Sequence, residues 1–201
     1  VKASKFLIVL LLSAVTPFAL AQEGDDNDAL VFGYDLGWLK LLNAEGVNVM
    51  VSDQVSDGCW TNIASVRNAV ELQLIRSGYD TYSEDDESAF APTVWIEALG
   101  FGLPSLNGCA VTADLSVMVA EMGDLESEEG VLRSIYNYEL ASYRGIFTAK
   151  KSDSNDSMRA QFEDLVQRML VDLQKQKQGL RKALKDHRET PVTRYWIQQL
   201  E

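Results

Sequence analysis

The stretch from Val47 to Asp80, VNVMVSDQVSDGCWTNIASVRNAVELQLIRSGYD, places the tightest limits on what this chain can fold into. Val47, Val49 and Val51 alternate with Asn48, Met50 and Ser52, the period-two pattern of a half-buried strand. Residues 53–58 carry turn chemistry. Thr61 then offers a hydroxyl to a free amide in a first helical turn. Ile63, Val66, Val70 and Leu74 fall at helical spacing, and Ala69 and Leu72 widen that stripe. Arg67, Asn68, Glu71 and Arg76 take the other side. Gly78 is a natural stop, because glycine enters the left-handed conformation without a Cβ clash. A strand followed by a helix that packs on it is the seed of a layered α/β arrangement.

Upstream, Leu36, Leu39 and Leu42 with Trp38 suit a short helix, although NAEG (residues 43–46) also fits a hairpin turn. Downstream, GYDTYS (residues 78–83) reads as a short strand and SEDDES (83–88) as a charged loop. Residues 90–103 read as a strand bending near Gly100 and Gly102. Residues 109–122 form the cleanest strand, with Val111, Ala113, Leu115, Val117 and Val119 on one face. GDLESEEG (123–130) reads as a turn. Residues 131–148 follow as another strand, with Leu132, Tyr136, Tyr138, Leu140 and Ile146 on one side. KKSDSNDS (150–157) reads as a linker, and Asp156 or Ser157 as the cap of a last helix. Met158, Phe162, Leu165, Val166, Met169 and Leu173 make its apolar stripe. Leu180 and Leu184 continue the period in basic surroundings, Gly179 weakens the helix, and Pro191 is expected to end it. The order is β-α-(β)-β-β-β-α. It predicts an α+β two-layer sandwich, a mainly antiparallel sheet of four or five strands with two long helices on one face.

The first residues, VKASKFLIVLLLSAVTPFALAQ, join Lys2 and Lys5 to an unbroken apolar run from Phe6 to Leu12. Ala19-Leu20-Ala21 fits the small-x-small cleavage rule, so residues 1–21 read as a signal peptide. No cysteine stands at the cleavage point, which argues against a lipid anchor. The initial Val reads as a translated GUG start and points to a bacterium. The periplasm is then the expected compartment, with release to the medium second. Residues 22–46 form an acidic tail and short helix, 47–173 the α+β domain, and 174–201 a basic helical extension with an aromatic end. The acidic tail lacks the glycine and closing glutamate of a calcium loop.

The formal charge of −12 argues against nucleic-acid binding. It is unevenly placed: residues 174–201 hold seven Lys and Arg against three Asp and Glu, a net +4. An even pair of cysteines in an oxidising compartment is more often bridged than free, so Cys59 and Cys109 are expected to form a disulfide. Their spacing does not fit a CxxC redox motif. If residues 78–83 form a full strand, up-and-down tracing puts the two cysteines at opposite ends of the sheet; if they form a crossing loop, the cysteines share one end.

The helix ending LIRSGYD, three following strands and a final long helix resemble the small α/β domain found at the N-terminus of TolB and in CsgG-like envelope proteins. The resemblance covers residues 47–174. Propeller repeats, pore-forming insertions and the acylated cysteine common in the CsgG group are missing. It implies an envelope role through protein contacts rather than catalysis, and no functional residue is carried over.

His187 is the only histidine, too few for a His-rich metal site, and no nucleophile stands beside it. The chain has no G-x-S-x-G, no phosphate-cradling glycine loop and no H-E-x-x-H, so no cofactor or metal is expected. Glu97 and Asp114 each interrupt a strand. A carboxylate pair on one sheet face could serve glycoside hydrolysis, whereas a solvated sheet face is the plainer reading. Trp60, beside Cys59, is expected to pack against the disulfide rather than to stand as a binding-surface aromatic. The candidate partner-binding residues are Lys175, Lys177, Arg181, Lys182, Lys185, Arg188, Tyr195 and Trp196. Basic amphipathic ends also dock on anionic lipid, so contact with a membrane surface, without spanning, is a second use for this segment. The leading expectation is a non-enzymatic periplasmic protein that contacts other envelope proteins. The alternatives are a small-ligand or inhibitor module suited to basic partners, and a carboxylate-dependent hydrolase.

Overall fold

The structure, a computed structural model, describes residues 36–82, 90–127, 130–186 and 189–200. The signal segment, the acidic tail, the SEDDES loop, His187 and Arg188 lie outside these residues. Helix α1 (Leu36–Leu42) leads into β1 (Gly46–Val55), α2 (Ile63–Arg76) and β2 (Asp80–Tyr82). Strands β3 (Thr93–Leu103), β4 (Gly108–Ser127) and β5 (Gly130–Lys150) follow, then α3 (Ser154–Asp186) and α4 (Pro191–Gln199). The five strands form one sheet in the order β2-β1-β3-β4-β5. The class is α+β, with helices layered on the sheet.

One sheet face is buried. It presents Val47 and Val49 from β1, Val94, Ile96 and Ala98 from β3, and Val111, Ala113, Leu115 and Val117 from β4. Val66, Val70 and Leu74 of α2 pack on it, as does the Met158-to-Leu173 stripe of α3. Both stripes follow from apolar residues at helical spacing, which give each helix one face to remove from water.

The sheet is mixed rather than mainly antiparallel: β1 runs parallel to β2 and β3, while β3, β4 and β5 alternate in direction. The reason lies in α2. Its 14 residues reach about 21 Å, enough to return the chain to the end of the sheet where β1 began. Strand β2 is only three residues long and pairs with Gly46, Val47 and Asn48, so β3 also starts from that end. The ends of β1 and β3 therefore coincide, and a tight turn brings the start of β4 back beside them. Cys59 and Cys109 meet there in a disulfide, with Cα atoms 5.9 Å apart.

Several local expectations change. Asn62, not Thr61, caps α2: its Oδ1 accepts from the Ser65 amide at 3.2 Å. Thr61 instead pairs with Asn155, donating its amide to Oδ1 and accepting from Nδ2. The 123–130 segment is mostly ladder. Strand β4 continues to Ser127 and β5 begins at Gly130, with the Arg133–Asp124 ion pair (3.0 Å) bridging the strands. A bulge opposite Val117 and Met118 shifts β5 by one residue at Leu140. Ile146 consequently leaves the face of Tyr138 and points to the open side, opposite Thr112. Helix α3 begins at Ser154, before either proposed cap, where the Ser154 hydroxyl donates to the Cys59 carbonyl. The helix passes through Gly179 to Asp186, held by buried Leu180 and Leu184. Pro191 starts α4 instead of ending a helix. It sits in the first turn behind a Thr190–Thr193 capping box, where its missing N–H costs nothing.

Candidate functional site

The sheet face away from α2 and α3 forms a regular grid. Cross-strand pairing sets Met50, Trp95, Ser116 and Ser142 in one row and Ser52, Glu97, Asp114 and Arg144 in the next. Gln54, Leu99, Thr112 and Ile146 form the third row, and Phe101, Ala110 and Thr148 a fourth. Trp95 is 36% exposed, Leu99 58%, Phe101 56% and Ile146 75%. Apolar side chains therefore stand partly in solvent on either side of a charged row.

Glu97 and Asp114 are direct cross-strand neighbours on this face. Gln54 Nε2 donates to Glu97 Oε1 at 2.5 Å, and the Arg144 guanidinium pairs with Asp114. That contact holds the Arg144 pKa above its ordinary value. The two carboxylates do share one sheet face, but outside both cavities described below and with protein donors already on them. A glycosidase pair needs a cleft that grips and desolvates a sugar between its carboxyls.

At one end of the sheet the disulfide is fully buried, and Trp60 is buried beside it, its ring stacked on Phe162 with centroids 6.2 Å apart. Asp57 closes the turn above. Its carboxylate accepts from the Gly102 amide and the Ser56 hydroxyl, both at 3.0 Å, and these bonds hold it below the usual carboxylate range. Gly102 fits only because it lacks a side chain: a Cβ there would lie 2.8 Å from that of Asp57.

The basic C-terminal segment is spread along docked helices. Lys175, Lys182 and Lys185 are exposed on α3, whereas Lys177 and Arg181 are half-buried. Lys175 pairs with Asp172 at 2.8 Å. In α4, Tyr195 is exposed and meets Trp196 edge-on at 5.3 Å. Trp196 is half-buried and lines a cavity of about 650 Å³ with Leu39, Lys40, Tyr82, Phe90 and Met122. A second cavity of about 640 Å³ lies between α2 and α3, beside Arg76, Tyr79 and Lys175. Neither cavity includes Glu97 or Asp114.

Among the described residues no cluster of three or more His, Cys, Asp or Glu could hold a metal ion, and no helix is long and apolar enough to cross a membrane. Sequence reasoning missed Arg144, Phe101 and Ile146 as members of the open face. The available signal was β3 itself, where Trp95, Leu99 and Phe101 are as apolar as Val94, Ile96 and Ala98 on the other side. No protein-family model matches the chain, and no curated protein matches it.

Proposed function

We propose that this chain is an exported, non-enzymatic protein of the bacterial envelope, acting in the periplasm through contacts with other proteins. The observation that carries this reading is the open sheet face. Trp95, Leu99, Phe101 and Ile146 expose apolar surface around Glu97, Asp114 and Arg144 on a sheet whose opposite face is covered by helices. Aromatic and aliphatic anchors beside a few fixed charges are what protein interfaces are built from. The disulfide is compatible with an oxidising compartment.

The basic residues of α3 are a separate candidate for the same role, and the two surfaces can be tested apart. The tagged protein is used to capture partners from a periplasmic extract, beside Leu99→Asp with Ile146→Asp, and beside Lys182→Glu with Lys185→Glu. Loss of a specific partner with the first pair supports the open face. Loss only with the second pair moves the site to α3. Capture of no specific partner by the unaltered protein overturns the protein-contact reading. Truncation at Leu173 is a poor substitute, because it removes the buried Leu180, Leu184 and Leu200 as well as the charges.

A further inference from the structure

The two edges of the sheet are unequal. Strand β2 ends one side after three residues, whereas β5 offers 21 residues on the other. Beyond Met118, β4 has left β3 behind, and β4 and β5 continue as a two-stranded arm. Met122, Val131, Leu132, Ile135 and Tyr136 are exposed along it. Two-stranded ribbons are marginal in water, and long edges are normally blunted by proline or by inward-pointing charge. Strand β5 contains no proline, and its charges, Arg133, Glu139, Arg144 and Lys150, all point to solvent.

We propose that two copies of this chain pair antiparallel through the outer edge of β5, with Tyr136 opposite Tyr136 of the second copy. Two features of the strand select this register. The first is the direction of the backbone groups. A two-residue connection between Ser127 and Gly130 makes that pair hydrogen-bonded, and alternation then turns the amides and carbonyls of Arg133, Ile135, Asn137 and Glu139 outward. With Tyr136 on the two-fold axis, these residues oppose one another, so the backbone groups meet.

The second feature is charge. Glu139 lies on the open face, where it accepts from Ser116 at 3.0 Å, and alternation puts Arg133 on the same face. In this register Arg133 opposes Glu139 of the second copy, twice per dimer. The register that matches Glu139 with Arg144 instead sets Arg133 against Lys150. Arg133 already donates from Nε and Nη2 to Asp124, and its guanidinium carries further donors for a second carboxylate. On the opposite face the same register brings exposed Leu132 against Leu140. The overlap runs only from residue 130 to 142, and α1, through the Lys40–Glu121 ion pair, rests on β4 beside the proposed axis. The inference does not depend on the envelope role proposed above.

The test uses the full chain and two single variants, Arg133→Glu and Glu139→Arg, measured by sedimentation velocity. The unaltered protein is expected to be a dimer, and each variant alone to dimerise at least tenfold more weakly, because each then opposes like charges. Mixing the two variants in equal amounts restores both Arg–Glu contacts and is expected to return the dimer. A misfolded variant could not give that rescue. Tyr136→Cys is expected to form an intermolecular disulfide on mild oxidation, while Thr148→Cys, outside the overlap, is not. An unaltered protein still monomeric at about 0.1 mM, within the range of weak associations, would overturn the proposal. So would a dimer indifferent to both charge reversals and to mixing.

Discussion

Tyr79 follows the glycine that ends α2, and its ring packs against the core. Its amide donates to the Leu74 carbonyl at 3.1 Å, which closes the helix end, and Gly78 takes the positive φ of +94° that the closure needs. Burial pushes the Tyr79 phenol up to about 12. Burial, with Asp172 beside it, does the same for Tyr143. An unfolded tyrosine ionises near pH 10. Between about 10 and 12 the folded chain keeps protons that the unfolded chain has lost, so stability is retained below pH 10 and falls as pH rises through this window. Urea denaturation at stepped alkaline pH is expected to show that fall, and Tyr79→Phe to make it shallower. An equal slope in the variant would assign the effect to other groups. Gly78 was legible as a stop because glycine's freedom is a local property. The burial of Tyr79 was not, because it depends on α3 arriving from far along the chain. The same holds for the α2 cap: Thr61 and Asn62 are both good cap residues, and only the contact from Asn155 decides between them.

At the scale of elements, α3 shows what periodicity can and cannot carry. Its stripe from Met158 to Leu173 was legible, and Leu180 and Leu184 continue it at positions seven and eleven residues on. The basic character and Gly179 pointed to a boundary near residue 174, yet helix propensity yields to burial, and one glycine costs only about 1 kcal/mol. Buried Leu180 therefore counts for more than its charged neighbours. Leu180→Ala is expected to destabilise by about 2–5 kcal/mol through lost transfer energy and a cavity. Lys182→Glu, on the exposed side, is expected to stay within about 0.5 kcal/mol. Comparing the two midpoints in chemical denaturation checks this. Equal, small effects would mean that the second half of α3 is not anchored. Strand β5 shows the opposite limit. Its sequence alternation predicts one unbroken face, but the extra residue at Leu140 reverses every face beyond it. A bulge is set by pairing with β4, and the β5 sequence alone has no signature for it.

For the whole molecule, the decisive fact is that β1 and β3 end where β4 begins. Strand direction was not legible, because a half-buried strand alternates in the same way whether its neighbours run parallel or antiparallel. The cysteines held the missing information: a bridge between Cys59 and Cys109 requires the end of β1 and the start of β4 to share one end of the sheet, as they do. That junction joins four elements, since Trp60 stacks on Phe162 of α3 and Ser154 holds the Cys59 carbonyl. The bridge spans a sequence separation of 50, for which the loss of unfolded-chain entropy is about 4 kcal/mol. Replacing both cysteines by serine is expected to lower the stability by about 2–4 kcal/mol, allowing for residual structure in the unfolded chain. Because both sulfurs are fully buried, the bridge in the native protein is expected to resist dithiothreitol at neutral pH and to yield only when denaturant opens the domain. Mass spectrometry after timed thiol alkylation measures this directly. Reduction as slow as global unfolding would place the bridge within the cooperative core. Rapid reduction of otherwise folded protein would mean that this end of the sheet opens by itself, and that its packing around Trp60 is a separate, weaker unit.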